Sequence, residues 1–255
     1  MSVHHGDYDY ERHGSGYAQQ RRADPRIAAV IHAALGPART VLNVGAGAGS
    51  YEPLDRHVVA VEPSAAMRAQ RPRELTPALI ARAEHLPFDD ASFDASMATI
   101  TVHQWADAAQ GLREMRRVTR GPVVVLTFEG EALDRFWLAR YAPELMLAER
   151  RRLPAIESIR AQLGGVTEVS AVPIPGDCVD GFLDAFYARP EALLDPVVRR
   201  AQSAWQFVSP EVQERAVAAL RADLASGEWD RRFGKLRRQP EFEGALRLIV
   251  SRPAD

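Results

Sequence analysis

Three glycines, Gly45, Gly47 and Gly49, follow directly on the apolar run Val41-Leu42-Asn43-Val44. Glycine reaches positive φ without steric cost and leaves no side chain to keep a ligand off the main chain. At the carboxyl end of a strand, where open α/β sheets take their ligands, such a loop cradles a nucleotide-like group. Alone the pattern is weak, because ordinary strand-to-helix turns are also glycine-rich. Glu62 strengthens it. It closes the next apolar run, Val58-Val59-Ala60-Val61, where an acidic group accepts two hydrogen bonds from a ribose diol.

Two ligand classes use such a pair, dinucleotides and S-adenosylmethionine, and the spacing separates them. The dinucleotide pattern ends in a further Gly or Ala, and here Ser50 holds that position. Tyr51, Glu52 and Pro53 follow, and the next run begins near Val58, so there is little room for the helix whose N-terminus would receive a pyrophosphate. A sulfonium ligand, without phosphate, does not need that helix.

Other groups with chemical capacity are scattered. His103, in Ile100-Thr101-Val102-His103-Gln104-Trp105, has an imidazole suited to proton transfer near neutral pH and is the candidate base or substrate contact, set against simple support of its loop. Trp105 reads as a wall or core aromatic. Tyr17 and Arg21, beside Arg22, offer a hydroxyl and a guanidinium fork for a carboxylate, or a solvated helix face. Phe182, Phe186, Tyr187, Trp205 and Phe207 form the densest aromatic group, which lines an apolar pocket or packs beneath a cap. Cys178 is the only cysteine, so an intrachain disulfide or a cysteine-based metal site is out of reach; it reads as a half-buried loop residue. No metal site is expected.

These groups need a frame. Short β-branched runs alternate with amphipathic stretches through the first half, the signature of βαβ units and a mostly parallel, doubly wound α/β sheet. Strands are expected at Thr40 to Val44, Val58 to Glu62, Leu79 to Ala81, Phe93 to Ala98, Pro122 to Phe128, Gly165 to Ile174 and Leu246 to Ser251, seven in all. Helices are expected at Pro25 to Leu35, at Ser64 to Gln70 with Ser64 as N-cap, and at Asp107 to Val118 with Asp107 as N-cap. Residues 131–164 and 177–240 are mostly helical in pattern and read as two insertions into one domain spanning 1–255, whose first 130 residues hold the ligand. Ser209-Pro210 begins the clearest helix there.

Bulk properties limit the partners. In 255 residues, 46% of them hydrophobic, the chain can fill a sizeable core. A formal net charge of −2 supplies no field for a polyanion, which argues against nucleic acid as partner. The start of the chain is polar, with no signal-peptide core, and the strongest apolar run, Val123 to Phe128, is far too short for a bilayer. A cytoplasmic protein acting on a small molecule is expected, with its oligomeric state open.

The chain resembles the class I methyltransferases of the ubiquinone/menaquinone-biosynthesis type, the type 11 family, over roughly residues 17–130. The resemblance is carried by four ordered blocks: Val41 to Gly49; Val61-Glu62-Pro63-Ser64-Ala65-Ala66-Met67; Ala83-Glu84-His85-Leu86-Pro87-Phe88 leading to Ser92-Phe93-Asp94; and Leu112 to Pro122. It implies a Rossmann-like sheet with an antiparallel last strand and S-adenosyl-L-methionine as cofactor; the two insertions, by their position after the fifth strand and before the last, are expected to form a helical cap over the acceptor. It further implies that Gly45, Ala46 and Gly47 face the methionine part, Glu62 the ribose, Met67 the adenine, and Ala83 and Glu84 the adenine end, with Pro63 also at the cofactor. Thr99 would lie near the sulfonium, and the segment holding Tyr17 and Arg21 would fold over the cofactor. The chain departs from the pattern at Asn43, where the family has an acid, at Arg82, where it often has an Asp, and in its short first crossover.

Against this stand a nicotinamide-dependent oxidoreductase, which fails on the glycine spacing and on the Glu84 to Phe88 block, and a macromolecule methyltransferase, for which no basic tract is present. A cofactor-binding module without catalysis would fit Asn43 and Arg82.

Overall fold

The computed structural model describes Glu11 and residues 20–254. Helix α1, Pro25–Ala34, starts where sequence chemistry says it should: the Asp24 side chain accepts the Arg26 N–H, and Pro25 occupies the first turn, where a missing N–H costs nothing. Strands β1, Thr40–Val44, and β2, His57–Val61, follow with no helix between them. The short helix α2, Ala65–Arg68, is capped by Ser64, whose hydroxyl accepts the Met67 N–H. Beyond β3, Ala95–Thr99, helix α3, Ala108–Val118, is capped by Asp107 and turns Leu112, Met115 and Val118 inward. Strand β4, Val123–Phe128, leads into α4, Pro143–Arg152, and α5, Ile156–Leu163. Then come β5, Val166–Ala171, and β6, Ile174–Pro175. The chain closes with α6, Pro196–Arg200, α7, Pro210–Ala225, α8, Glu228–Phe233, β7, Glu241–Phe242, and β8, Leu246–Arg252.

Among the described residues the central sheet has six strands in the order β2-β1-β3-β4-β8-β5. The first four are mutually parallel, and β8 runs antiparallel to both β4 and β5, as the Rossmann-like expectation required. Successive side chains of a strand point to opposite faces. Val41, Met97, Val124 and Leu126 therefore pack with α1, while Leu42, Ala98, Val123 and Val125 pack with α3 and α5.

Two expectations need correction. The run Leu79 to Ala81 is not a seventh strand but a single parallel bridge: Leu79 N–H donates to the Ala60 carbonyl at 2.8 Å, and Glu62 N–H to the Leu79 carbonyl at 3.0 Å. Pro77 lacks a donor on one side, the Arg82–His85 turn follows on the other, and Ile80 is left 77% exposed. The run Gly165 to Ile174 divides at Pro173, with β5 in the main sheet and β6 paired to β7 in a small second one.

The two insertions combine α-helices with short 3-10 turns around a shared aromatic core. Trp137 meets Trp229 edge-on at 5.6 Å and donates from Nε1 to the Tyr187 carbonyl at 3.0 Å. Tyr187 stacks on Phe242, and Trp205 is fully buried, so most of the aromatic group fills core. One hydrophobic cluster joins this aromatic core to Val41, Val124 and Leu126 of the sheet. No helix among the described residues is long and apolar enough to cross a membrane.

Candidate active site

The glycine loop is shaped by its neighbours. Gly45 and Gly47 have φ of +67° and +51°. A Cβ on Gly45 would lie 2.3 Å from Thr101 Oγ1, so the turn after β3 approaches the loop as only glycine allows. The Gly45 and Ala46 N–H groups both donate to the Val61 carbonyl at 3.0 Å, tying the loop to the end of β2.

Glu62 stands at that strand end, 7% exposed. One carboxyl oxygen accepts the Gly47 N–H and the other the Ser64 N–H, each at 2.8 Å. Burial raises its pKa, against the pull of these two N–H groups and of Arg68 and Arg71. Arg68 donates to the Glu62 and Pro63 carbonyls, and Met67 Cε lies 3.3 Å from where a Gly47 Cβ would sit. Gly45, Ala46, Gly47, Glu62, Pro63 and Met67 thus come together. Two oxygens with lone pairs to spare, beside a main chain stripped of side chains, fit a ribose and the amino-acid end of S-adenosylmethionine.

The remaining expected residues are more dispersed. Ala83 is buried, and Glu84 accepts the Asp107 N–H at 3.0 Å, so its carboxylate also anchors the start of α3. Thr99 ends β3 and precedes Ile100, whose φ of +54° turns the chain sharply at the sheet's carboxyl end. Arg21 donates from Nε to Asp180 at 2.6 Å, and Tyr51 donates to the other Asp180 oxygen at 2.8 Å. Tyr17 lies outside the described residues.

The departure at Asn43 has a physical reason. Its Nδ2 donates to Glu52 Oε1 at 2.9 Å, and Arg71 grips both Glu52 oxygens at 2.9 Å, all three side chains buried beneath the loop. An Asp at 43 would set two carboxylates against each other out of water. Glu52, Arg71 and Asp180 were not found from sequence; no short spacing marks them.

Past Thr99 the site opens into a half-open cleft between the sheet's carboxyl end and the insertions. Its lining includes Ile100 and His103 from the turn after β3, and Phe128 from the end of β4. The insertions add Leu133 and Glu149, then Phe182, Asp184 and Gln202, and Arg21 completes the wall. His103 sits in the single 3-10 turn Val102–Gln104. Of the aromatic group, Phe182 is the member that reaches the cleft, its ring 5.6 Å from that of Phe128.

Known proteins fit this geometry. Residues 42–125 match a methyltransferase domain model. A crystal structure of a protein from Anabaena variabilis, described as a methyltransferase from an antibiotic biosynthesis pathway, superposes with a TM-score of 0.83 at 30% identity, covering 91% of this chain and 99% of that one. The chain belongs to the class I S-adenosylmethionine-dependent methyltransferases. Its cofactor is S-adenosyl-L-methionine. This methyltransferase also matches the ubiquinone/menaquinone biosynthesis C-methyltransferase of Citrifermentans bemidjiense, at 39% identity over 59 residues. That match spans 22% of this chain and only 25% of the relative. The geranyl diphosphate C-methyltransferase of Streptomyces coelicolor, solved with geranyl diphosphate and S-adenosyl-L-homocysteine, shares the fold at a TM-score of 0.52 and 13% identity, over 90% of this chain and 79% of that one.

Proposed function

We propose that the protein transfers a methyl group to a small molecule held in the cleft beside Thr99. The observation that carries this reading is the adjacency of the two halves of the site: the segment 99–103 ends the strand next to β1, touches the glycine loop through Thr101, and continues into the cleft wall at Ile100 and His103.

Bound S-adenosylmethionine supplies an electrophilic methyl carbon. The chain's own work is to hold, orient and exclude water, which for an in-line displacement supplies much of the rate. The open backbone of Gly45, Ala46 and Gly47, whose own N–H groups are tied to Val61 and Glu62, lets the methionine end lie against the main chain; Glu62 takes the ribose diol, and Met67 with Pro63 borders the adenine. Ala83 and Glu84 close the adenine end, and Thr99 borders the reacting centre. Arg21 borders the cleft. His103 contacts the acceptor or takes its proton. The two insertions, 131–164 and 177–240, form the cap.

Calorimetry tests the core of this reading. S-adenosylmethionine and S-adenosylhomocysteine should bind saturably and NADP should not. Saturable NADP binding with no response to either sulfur compound would overturn it. A screen of phenols, carboxylates and amines with methyl-labelled cofactor then identifies the acceptor.

A further inference from the structure

Asp184 follows Phe182 and Leu183 in the lining of the cleft and is 1% exposed. Its Oδ2 accepts the Ala245 N–H at 2.8 Å, just before β8. Gly244 is required by this arrangement, because a Cβ there would lie 2.4 Å from the same oxygen. The neighbouring Arg247 is committed elsewhere, to Glu129 at 2.6 Å and to the Gly244 and Leu246 carbonyls at 3.0 and 2.9 Å. Burial pushes the Asp184 carboxyl up to about 6, opposed by the Ala245 N–H and the charge of Arg247.

An asparagine would satisfy the Ala245 N–H equally well without the cost of burying a charge. An ionisable group kept in a cleft at that cost is a candidate for proton chemistry. Other charged groups surround it. Arg247 and Glu129 lie at the β8 side, with Arg21, His103 and Glu149 in the cleft wall. Glu191 of the adjoining turn 190–194 is held by Arg237, and β6 brings no titratable group.

The cleft also selects an acceptor. Ile100, Leu133, Phe128 and Phe182 offer apolar walls to a ring. A carboxylate on that ring would meet the buried Asp184 as a like charge, while Glu149 is paired with Arg152, and an ammonium would have to shed a proton before it could receive a methyl group. A neutral hydroxyl has the lone pair and offers its proton to a carboxylate.

We propose that Asp184 is the proton acceptor of the reaction, which leaves His103 as a contact to the acceptor, and that the acceptor is a neutral ring-bearing hydroxyl compound of the phenol type; this rests on the reading of the cleft as the acceptor site. The O–H bond breaks and its proton passes to the Asp184 carboxylate, while a pair on oxygen forms the bond to the methyl carbon. The electrons of the old methyl–sulfur bond stay on sulfur, and the proton leaves to water afterwards.

The test uses the full chain saturated with S-adenosylhomocysteine and the probe 4-nitrophenol, whose neutral and ionised forms differ in colour. The probe should bind saturably to the wild type and, once bound, keep its proton to higher pH than in free solution. Asp184→Asn should leave the melting temperature and the S-adenosylhomocysteine affinity unchanged within about twofold, yet weaken binding of the neutral probe by about tenfold and abolish the shift in its ionisation. A folded Asp184→Asn with the wild-type probe titration would make Asp184 a structural cap for Ala245 only and overturn the proposal. So would absence of saturable probe binding, or tighter binding of benzylamine that Asp184→Asn removes. If the variant does not fold, the wild type decides alone: affinity for the neutral probe should fall as pH drops through about 6, and a flat profile overturns the proposal. Failure of S-adenosylhomocysteine to bind would instead sink the reading of the site itself.

Discussion

The glycine-loop half of the molecule and the insertion half are held by different kinds of contact. Around the loop, the decisive bonds join residues close in sequence: Gly47 to Glu62 across 15 positions, Asn43 to Glu52 across 9, Arg71 to Glu52 across 19. In the insertion half they cross much of the chain, Arg21 to Asp180 over 159 positions and Tyr51 to Asp180 over 129. The first half presents mainly backbone and one carboxylate, suited to a cofactor that does not vary. The second presents side chains from several segments, and these can change one at a time without disturbing the loop. On the function proposed above, a shared cofactor and a private acceptor would place those two demands on one fold. Yet the halves are not separate bodies, because a single hydrophobic cluster runs from Val41 and Leu126 to Trp205 and Trp229.

That last point supplies the largest expected effect. Trp229 is fully buried among Trp137, Phe233 and the Arg237 guanidinium. Trp229→Ala should lower the unfolding free energy of the whole chain by about 3–5 kcal/mol in one cooperative transition. Two resolved transitions in chemical denaturation would show that the halves fold apart.

The difference in chemistry is sharpened by Glu62→Ala, which should cost about 1.5–3 kcal/mol of cofactor binding, ten- to a hundredfold in Kd by calorimetry. Phe182→Ala, on the cleft side, should leave the cofactor Kd within about twofold. An equal loss from both would erase the distinction.

The smallest effect tests the joint between the halves. Asp24 caps α1 and also accepts the Val179 N–H of the second insertion at 3.2 Å. Burial raises its pKa, but the Arg26 guanidinium and the Val179 and Arg26 N–H groups outweigh this and hold it at about 2, below the ordinary aspartate range. A carboxyl depressed in the folded state stabilises it above the unfolded value, and that contribution is lost as pH falls from near 4 towards 2. Asp24→Asn should therefore cost about 1–2 kcal/mol at neutral pH and much less near pH 2, as read from melting temperatures across that window. A pH-independent difference would mean that the cap acts without its charge.

The cofactor side of the site was legible because its signals are local. A strand, a glycine loop, a second strand and its terminal acid lie within 23 residues, Thr40 to Glu62, and Ser64, Asp107 and Ser209 cap the helices expected of them. The strand count was less legible, since a short apolar run such as Leu79 to Ala81 looks alike whether it pairs over its length or through one bridge. Glu52 escaped notice for a related reason: nothing beside it in sequence shows that Arg71 and Asn43 will close on it.

By itself the sequence determined the α/β class, the family and the position of the glycine loop, all of which follow from hydrophobic period, caps and φ preferences acting over a few residues. Only the tertiary structure decided which side chains line the cleft, that Arg21 is pinned by Asp180, and that Asp184 sits in an apolar wall with Arg247 turned away to Glu129. Those outcomes depend on burial and on the competition of distant groups for the same partner, and burial is a property of the packed chain that no local pattern carries.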